Sequence, residues 1–293
     1  MTALLGKLVA LSVSDAPDRA RLGLPAREVD RALFSICTVI VRSGAKIVYG
    51  GNLDPNGLTF SMFRHLAGAY VAAKEVPFVH IIPEPVFRKA PFDALVHALR
   101  EGASVVKTHA HIDRDLVPLR AVEDGLRIGT GASGIRLRSD GEFRSWLDAK
   151  PELNTASAFS AAREAITRLS DARVVLGGKM GLLNDPRDAY EGAKPGIVEE
   201  ALLSLAAHLP CVPLGAFGGA ARDVAIALGL LDPAKRVPRG EQAPTYASSL
   251  ALLVAYRDKI PVELQPALAS LADDDRGEPM AYDIAVLLEQ WLA

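Results

Sequence analysis

The feature that most constrains the fold is a repeated pattern in which a short apolar run ends at a glycine or polar turn and a helical segment follows. A continuous apolar run of this length is typical of a strand covered on both faces. Alternation of such strands with helices predicts a parallel sheet with right-handed crossovers. The strands are predicted at residues 8–13 (LVALSV), 46–49 (KIVY), 78–82 (FVHII), 173–176 (RVVL) and 212–214 (VPL).

The intervening segments carry apolar residues at helical spacing. These helices are predicted at residues 27–43, 58–73, 92–100, 157–169, 196–207 and 220–228. The fold class is therefore α/β, with a doubly wound, mostly parallel, Rossmann-like sheet. Within the stretch 83–151 we predict only the helix at 92–100 and a strand at 104–108, and we assign the remainder no structure.

Beyond residue 232 the pattern changes to polar linkers and two apolar helical segments, at 246–256 and 282–291. We predict a Rossmann-like domain over residues 1–232 and a helical C-terminal extension over 233–293. The extension is expected to pack on that domain or on a second subunit. A homo-oligomer is therefore an expected partner.

Charge and composition exclude several classes of protein. The formal net charge of −2 comes without a basic block that would neutralise several phosphates of a polynucleotide. The apolar stretch near the N-terminus is too short for a membrane span, and we see no secretion signal. Cys37 and Cys211 lie in apolar segments, as reduced core cysteines do. We expect a cytoplasmic protein that binds neither nucleic acid nor membrane.

Ligands of open parallel sheets bind beyond the carboxyl ends of the strands. Glycine there lets the backbone approach an anion, and a helix that begins just beyond adds partial positive charge. The strand ends therefore predict a phosphate-binding site. Alternatively, a glycine at such a position only permits a tight turn. The candidate residues are Ser14, Asp15, Gly50, Gly51, Gly177, Gly178, Lys179, Phe217, Gly218 and Gly219.

Two of these side chains have alternative interpretations. Lys179 directly follows a double glycine, so its charge either neutralises a pyrophosphate or is a solvated surface charge. Phe217 lies between glycine-bearing turns, and its ring either stacks on a base or packs in the core.

A further candidate segment contains Pro195 and Gly196, followed by Glu199 and Glu200. Proline at the start and carboxylates in the first turn are typical of a helix N-terminus, where acids complement the helix dipole. Alternatively, a carboxylate beside a phosphate-binding turn accepts hydrogen bonds from ribose hydroxyls.

These motifs together resemble the SLOG superfamily, Rossmann-like proteins that include lysine-decarboxylase-like, cytokinin-activating phosphoribohydrolases. The resemblance spans about residues 7–230 and also extends to the branch associated with TIR, sirtuin and TRPM-type proteins. It implies a phosphorylated nucleotide derivative as the small-molecule partner, no cofactor, and an effector protein in another chain as a further partner. Its motifs are the strand with GG at 174–178, PGIVEE at 195–200, LGAFGGAA at 214–221, LSVSD at 11–15 and YGG at 49–51.

The enzyme members of that superfamily carry PGGxGTxxE, and this chain departs from it. Gly196 and Glu200 match the last glycine and the glutamate, but Ile197 replaces the threonine and Lys194-Pro195 occupies the region of the paired glycines. The resemblance therefore implies binding without hydrolysis, as in sensors of ADP-ribose-like signals in nucleotide signalling or anti-phage defence. The alternative is a phosphoribohydrolase of nucleoside monophosphates in which Glu200 is catalytic. A scaffold with vestigial glycine loops is the least favoured interpretation.

Two other motifs match patterns of nucleotide or metal sites. The GxGxxG pattern at 129–134 is followed by no helical period, so it predicts a turn and not a nucleotide loop. His109 and His111 alternate as strand residues that share a face do, with Asp113 close by. No further ligand is identifiable, and we predict no metal site.

Overall fold

A computed structural model of the chain describes residues 4–69, 76–131 and 134–293. Contacts divide the chain into two compact units, unit 1 (Met1–Ala45 and Thr167–Ala293) and unit 2 (Lys46–Ile166). In chain order the elements are β1 (Leu8–Ser14), α1 (Ala26–Arg42), β2 (Lys46–Gly50), α2 (Leu58–Ala69), β3 (Phe78–Ile82), α3 (Glu84–Lys89), α4 (Phe92–Glu101), β4 (Val106–Ile112), β5 (Asp115–Val122), β6 (Gly125–Ile128), β7 (Ile135–Leu137), α5 (Asp140–Asp148), α6 (Thr155–Leu169), β8 (Ala172–Gly177), α7 (Gly196–Ala206), β9 (Cys211–Leu214), α8 (Gly219–Ala227), α9 (Pro244–Leu253), α10 (Gln265–Ala272) and α11 (Glu278–Leu292).

Unit 1 is built on three adjacent parallel strands, with β8 between β1 and β9. The register aligns their carboxyl ends, since Ser14 pairs with Gly177 and Leu176 pairs with Leu214. All residues of β8 and β9 are buried, which is why these strands, Arg173 apart, are apolar runs. The α7 helix, which connects β8 to β9, and the α8 helix, which follows β9, both pack against β8.

The C-terminal helices pack on elements of the same unit. The α9 helix contacts α8, α10 contacts β9, and α11 contacts α1. Leu268 on α10 and Leu288 on α11 are fully buried. These three helices therefore pack on strands and helices of unit 1.

Unit 2 combines parallel and antiparallel pairing. The strands β2, β3 and β4 are parallel neighbours, and β5, β6 and β7 continue from β4 as an antiparallel meander. Asp113 and Arg114, which join β4 to β5, both have positive φ (53° and 65°), as a two-residue type I′ hairpin turn requires. The core of this region includes Phe87 and Phe143, whose ring centroids lie 5.3 Å apart in an edge-on contact.

The predicted fold class, Rossmann-like α/β with C-terminal helices, is confirmed. The helix predicted at 58–73 is observed as α2, and the predicted residues 70–73 lie outside the described residues. The stretch 83–151 needs correction, because the part left without structure contains α3, β5, β6, β7 and α5. The strand predicted at 104–108 is β4, which begins and ends later. The α10 helix was also not predicted.

Both cysteines are core residues. Cys37 and Cys211 are fully buried, and burial raises the pKa of each thiol to about 12. The thiols therefore stay protonated and act as small apolar groups. Among the helices of the described segments, none combines the length and apolarity needed to cross a membrane.

One charged side chain lies inside the core of unit 1. Arg173, the second residue of β8, is only 1% exposed. Its guanidinium donates hydrogen bonds to the hydroxyls of Ser12 and Ser204 (both 2.7 Å) and Thr167 (2.9 Å). The carboxylate of Glu200 lies 3.5 Å away. A buried arginine is tolerated only when its donors are satisfied in this way.

We predict that Arg173→Met lowers the free energy of unfolding by about 3–5 kcal/mol, because it leaves the Glu200 carboxylate without its buried cation. Urea denaturation measures the change. Arg187→Met is the matched control, since Arg187 is 91% exposed and pairs locally with Asp185. The control is expected to change stability by less than about 0.5 kcal/mol. Equal stability of the two variants would show that the Arg173 network contributes nothing.

Candidate functional site

The carboxyl ends of the unit 1 strands are joined by backbone hydrogen bonds. The amide of Gly178 donates to the carbonyl of Ser14 at 3.0 Å, and the amide of Ala220 donates to the carbonyl of Gly178 at 3.0 Å. The loop after β8 is therefore held between the end of β1 and the start of α8. Of the predicted site residues, Ser14, Gly177, Gly178 and Gly219 come together here.

Gly178 lies where two helices begin. Its φ is +108°, and a Cβ atom there would be 2.5 Å from Cγ1 of Ile197 in α7 and 3.0 Å from Cβ of Ala220 in α8. Gly177 has a φ of +65°, and a Cβ atom would be 2.3 Å from the Ser14 carbonyl oxygen. A side chain at Gly178 would separate the helices from the strand end, and one at Gly177 would clash with the end of β1. Close packing thus accounts for this glycine pair, whether or not a ligand binds.

The N-terminus of α8 is already satisfied within the chain. The amide of Gly218 donates to the carbonyl of Gly215 at 3.0 Å, and that of Gly219 donates to Oδ1 of Asp18 at 2.7 Å. These two predicted ligand-binding glycines therefore have internal acceptors. Phe217 is fully buried, which favours the core interpretation of its ring over base stacking.

Asp18 was not among the predicted site residues. It is 5% exposed, and burial raises the pKa of its carboxyl group, opposed by the hydrogen bond from the Gly219 amide. Its carboxylate caps a helix that begins 201 residues later. Asp15, which was predicted, is instead an exposed residue paired with Arg19 at 3.2 Å. No local sequence pattern distinguishes Asp18 from Asp15, because they differ in a contact with the distant Gly219 amide.

The N-terminus of α7 differs from that of α8. Pro195 is the N-cap residue, and no side chain caps the helix. The amide of Glu199 donates to the Pro195 carbonyl at 2.9 Å. The amides of the three preceding residues, 196–198, have no acceptor in the part of the chain that the structure describes. Their N–H groups and the helix dipole make this end a donor-rich, electropositive surface.

The two glutamates of α7 have different surroundings. Glu199 is 6% exposed and lies within the packed face of the helix. The Glu200 side chain is 18% exposed, and its Oε2 lies 3.5 Å from Nη1 of the buried Arg173. The structure therefore gives Glu200 a buried cation as a neighbour, while its predicted contact with a ribose, or with a ribosyl centre in catalysis, stays a prediction.

The loop that follows Gly178 is held by an acid that the sequence did not identify. The carboxylate of Asp188, buried at 3% exposure, accepts hydrogen bonds from the amides of Met180 (3.0 Å) and Leu182 (2.7 Å). Burial raises the pKa of this carboxyl group, while these hydrogen bonds oppose the shift. Lys179 is exposed, and its ammonium donates to the carbonyl of Ala189 at 2.7 Å. The other two N–H donors of this ammonium form no hydrogen bond with a described residue.

A second buried acid joins α8 to the C-terminal helices. Asp223 is 1% exposed and accepts a hydrogen bond from Nη2 of Arg239 at 2.6 Å. The hydroxyl of Tyr246 donates to the same carboxylate at 2.7 Å. Burial raises the pKa of Tyr246 well above its usual value, with the charge of Asp223 next in importance, so the phenol stays a donor. This network fixes Arg239 and Tyr246 to α8 within unit 1.

Gly50 and Gly51 belong to unit 2, at the end of β2. A Cβ atom on Gly51 would be 2.4 Å from Oγ1 of Thr59, and one on Gly50 would be 2.7 Å from Cδ1 of Ile166. The Gly51 carbonyl lies 3.3 Å from Nε2 of His80, whose pKa burial lowers to about 4. Tight packing again explains why both positions are glycine.

The two other motifs also lie in unit 2. The GxGxxG pattern connects β6 to β7, which are antiparallel, so it lacks the strand-to-helix context of a dinucleotide fingerprint. Two of its residues, 132 and 133, lie outside the described ones. His109 and His111 lie on β4, but Asp113 lies in the turn beyond it. Among the described residues no three His, Cys, Asp or Glu side chains are grouped as metal ligands.

The parallel strands with glycine-bearing ends and the helices packed on them define a Rossmann-like α/β protein. The family model described as SLOG cluster2 matches residues 3–260, and the chain belongs to this family. The match continues beyond residue 230 as far as α9, in agreement with the Asp223–Arg239–Tyr246 network. A search of curated proteins found no match. Family membership supports a nucleotide-related role in general.

We predict that Gly178→Ala lowers the free energy of unfolding by about 2–4 kcal/mol, because a strained φ is combined with overpacking against Ile197 and Ala220. Gly23→Ala is the matched control, since Gly23 has a φ of +75° and nothing within 4 Å of a Cβ atom. It should lose only about 1–2 kcal/mol from the backbone conformation. Thermal or urea denaturation of both variants checks this, and equal losses would contradict the packing role.

The raised pKa of Asp18 gives a second prediction. The folded state binds a proton at Asp18 more tightly than the unfolded state, so this group's contribution to stability falls as the pH rises above its unfolded pKa, about 4. Asp18→Asn keeps an oxygen for the Gly219 amide and removes this dependence. We expect the variant to gain stability relative to the wild type between about pH 4 and pH 7.

Urea denaturation midpoints at several pH values measure that difference. Asp15→Asn is the control, because it removes the same charge from an exposed position. A difference between wild type and Asp18→Asn that does not change with pH would show that burial leaves the Asp18 pKa unchanged.

Proposed function

We propose that this protein binds a phosphorylated nucleotide derivative of the ADP-ribose class at the strand-end loops of unit 1, and senses it without hydrolysis. The observation that carries the proposal is the N-terminus of α7, where the amides of residues 196–198 lack internal acceptors. Phosphate groups bind well at such ends, since several N–H donors and the helix dipole act together.

The comparison of α7 with α8 supports this location. At α8 the chain supplies its own anion, the Asp18 carboxylate, which accepts from the first-turn amide of Gly219. At α7 the chain supplies no side-chain cap. Because both helices start beside Gly178, an anion at α7 would lie among the predicted loops.

Nearby cationic and hydroxyl groups suit a phosphate. Lys194 directly precedes Pro195, is half-buried, and makes no ion pair with any described residue. The Ser14 hydroxyl at the end of β1 and the exposed ammonium of Lys179 lie on the adjoining strand ends. A lysine ammonium supplies three donors, enough to keep an internal contact and still reach a ligand.

Glu200 is the proposed contact for a ribose. Its carboxylate lies 3.5 Å from Nη1 of the buried Arg173. A carboxylate accepts hydrogen bonds from ribose hydroxyls, the role expected of a ligand-binding residue. The alternative, a phosphoribohydrolase of nucleoside monophosphates with Glu200 as the catalytic residue, also uses this position, so the experiment below includes turnover.

A sensor needs a partner that reads the bound state, and the proposal includes a second copy of the chain or an effector in another chain. Tyr282 and Val286, four residues apart on α11, are 48% and 52% exposed. Residues at this spacing share one helix face. That exposed apolar face supports association through the C-terminal helices.

The proposal is tested by titrating AMP, a cytokinin nucleotide, ADP-ribose and cyclic ADP-ribose into the protein and analysing each mixture for products. Saturable binding of ADP-ribose with thermal stabilisation and no product supports a sensor. Release of free base from a nucleoside monophosphate, abolished by Glu200→Gln, would overturn it in favour of the hydrolase. Absence of binding to all four compounds would overturn both.

We predict that Lys194→Gln weakens ADP-ribose binding about tenfold or more, because a charge-assisted hydrogen bond contributes about 1.5–3 kcal/mol. Lys259→Gln, which removes an exposed lysine after α9, is the matched control and should leave the affinity within twofold of wild type. Calorimetric titration measures both. Equal affinity of Lys194→Gln and wild type would remove the α7 end from the site.

A further inference from the structure

Unit 2 carries basic side chains in register across neighbouring strands. Arg120 on β5 pairs directly with Arg127 on β6. Lys107 on β4 precedes Thr108, which pairs with Leu119, so Lys107 lies level with Arg120. Residues directly opposite each other in a sheet project from the same face. We call Lys107, Arg120 and Arg127 the cationic row.

The charges of the cationic row are not neutralised within the described chain. Lys107, Arg120 and Arg127 are all exposed, and none forms an ion pair with a described residue. Arg127 donates only to the neutral carbonyl of Gly131, at 2.6 Å. The neighbouring arginine on β7, Arg136, is different, because Asp124 pairs with it.

Like charges directly opposite each other in a sheet destabilise it. The chain therefore bears this repulsion at three successive strands, whereas at the fourth it provides a carboxylate. An anion bound across Lys107, Arg120 and Arg127 would remove the repulsion. This arrangement is a basis for binding that does not depend on the site proposed in unit 1.

A cavity of about 840 Å³ lies against the cationic row. Besides these three side chains it is lined by Arg100, and its described lining residues include no aspartate or glutamate. Leu99, Val106 and other apolar residues form part of the same lining. The volume is in the range of small-molecule sites, about 300–1,000 Å³, which also combine apolar surface with a few polar groups.

We propose that this cavity binds a small anion with two or more linked phosphates, such as a nucleoside di- or triphosphate. Neighbouring strands are about 4.8 Å apart, so three consecutive cations extend over about 10 Å. A chain of charges matches that length better than a single phosphate does. The apolar lining offers a surface to the nucleoside.

A small ligand is favoured over a single-stranded polynucleotide. Proteins that bind single strands stack successive bases on aromatic side chains. Among the described residues that line this cavity there is no Phe, Tyr or Trp. The ligand is therefore recognised by its linked phosphates and by apolar contact with one nucleoside.

The test measures the affinity of wild type and of the double variant Arg120→Gln/Arg127→Gln for four ligands. These are inorganic tripolyphosphate, ATP, inorganic phosphate and a single strand of about 12 nucleotides, a length that one single-strand site occupies. We expect tripolyphosphate and ATP to bind saturably, and inorganic phosphate at least tenfold more weakly. The double variant should lose at least tenfold in affinity for tripolyphosphate. ATP binding tighter than tripolyphosphate would support contact with the nucleoside.

Arg114→Gln is the matched control, since Arg114 is exposed in the turn after β4 and does not line the cavity. It should bind tripolyphosphate within twofold of wild type. Loss of tripolyphosphate binding in the double variant but not in Arg114→Gln would locate this site in unit 2, separately from the one proposed in unit 1. Arg120→Lys, which keeps the charge, should recover most of the affinity lost in Arg120→Gln.

Because like charges are removed, the double variant should have a melting temperature no lower than that of wild type. If the double variant is unstable, Arg120→Gln alone, which breaks no hydrogen bond, replaces it in the test. The proposal is overturned if tripolyphosphate and ATP do not bind the wild type. Unchanged affinity in the double variant, or an oligonucleotide that binds tenfold tighter than ATP, would equally overturn it.

Discussion

The rest of unit 1 depends on the close approach of two helices to one strand end at Gly178. The first turns of α7 and α8 both contact this residue, and its carbonyl accepts a hydrogen bond from the amide of Ala220. A side chain there would move both helix N-termini away from the sheet at once. The same contact therefore sets the core packing and the position of every donor at this end of the strands.

Buried carboxylates then decide which of those donors remain available. Asp18 uses the first amide of α8, Asp188 uses two amides of the following loop, and Asp223 uses Arg239 and Tyr246. Each of these acids is an internal hydrogen-bond acceptor that satisfies donors before any ligand arrives. The donors proposed to bind a ligand in unit 1 are therefore the free amides at the N-terminus of α7. They are fewer than the number of glycine-bearing loops implied.

Local periodicity was sufficient for most of the fold, because buried strands and amphipathic helices are properties of short segments. It failed for β5 and β6, because the turn before β5 uses Asp113 and Arg114 at positive φ where glycine or asparagine is the usual signal. The strand ends of the candidate site were predicted for the same local reason. The partners of Asp18 and Arg173 were not, since their contacts join residues up to 201 and 161 positions apart.

The short strand β7 has a consequence for strand addition at its edge of the sheet. It has three residues, pairs with β6 on one side, and lies at the end of the strand order. Arg136 in its centre and Arg138 just beyond it both bind Asp124, so fixed charges lie along this border. A brief, charged border strand resists the addition of a strand from another molecule. The antiparallel meander thus closes this one edge of the sheet to growth.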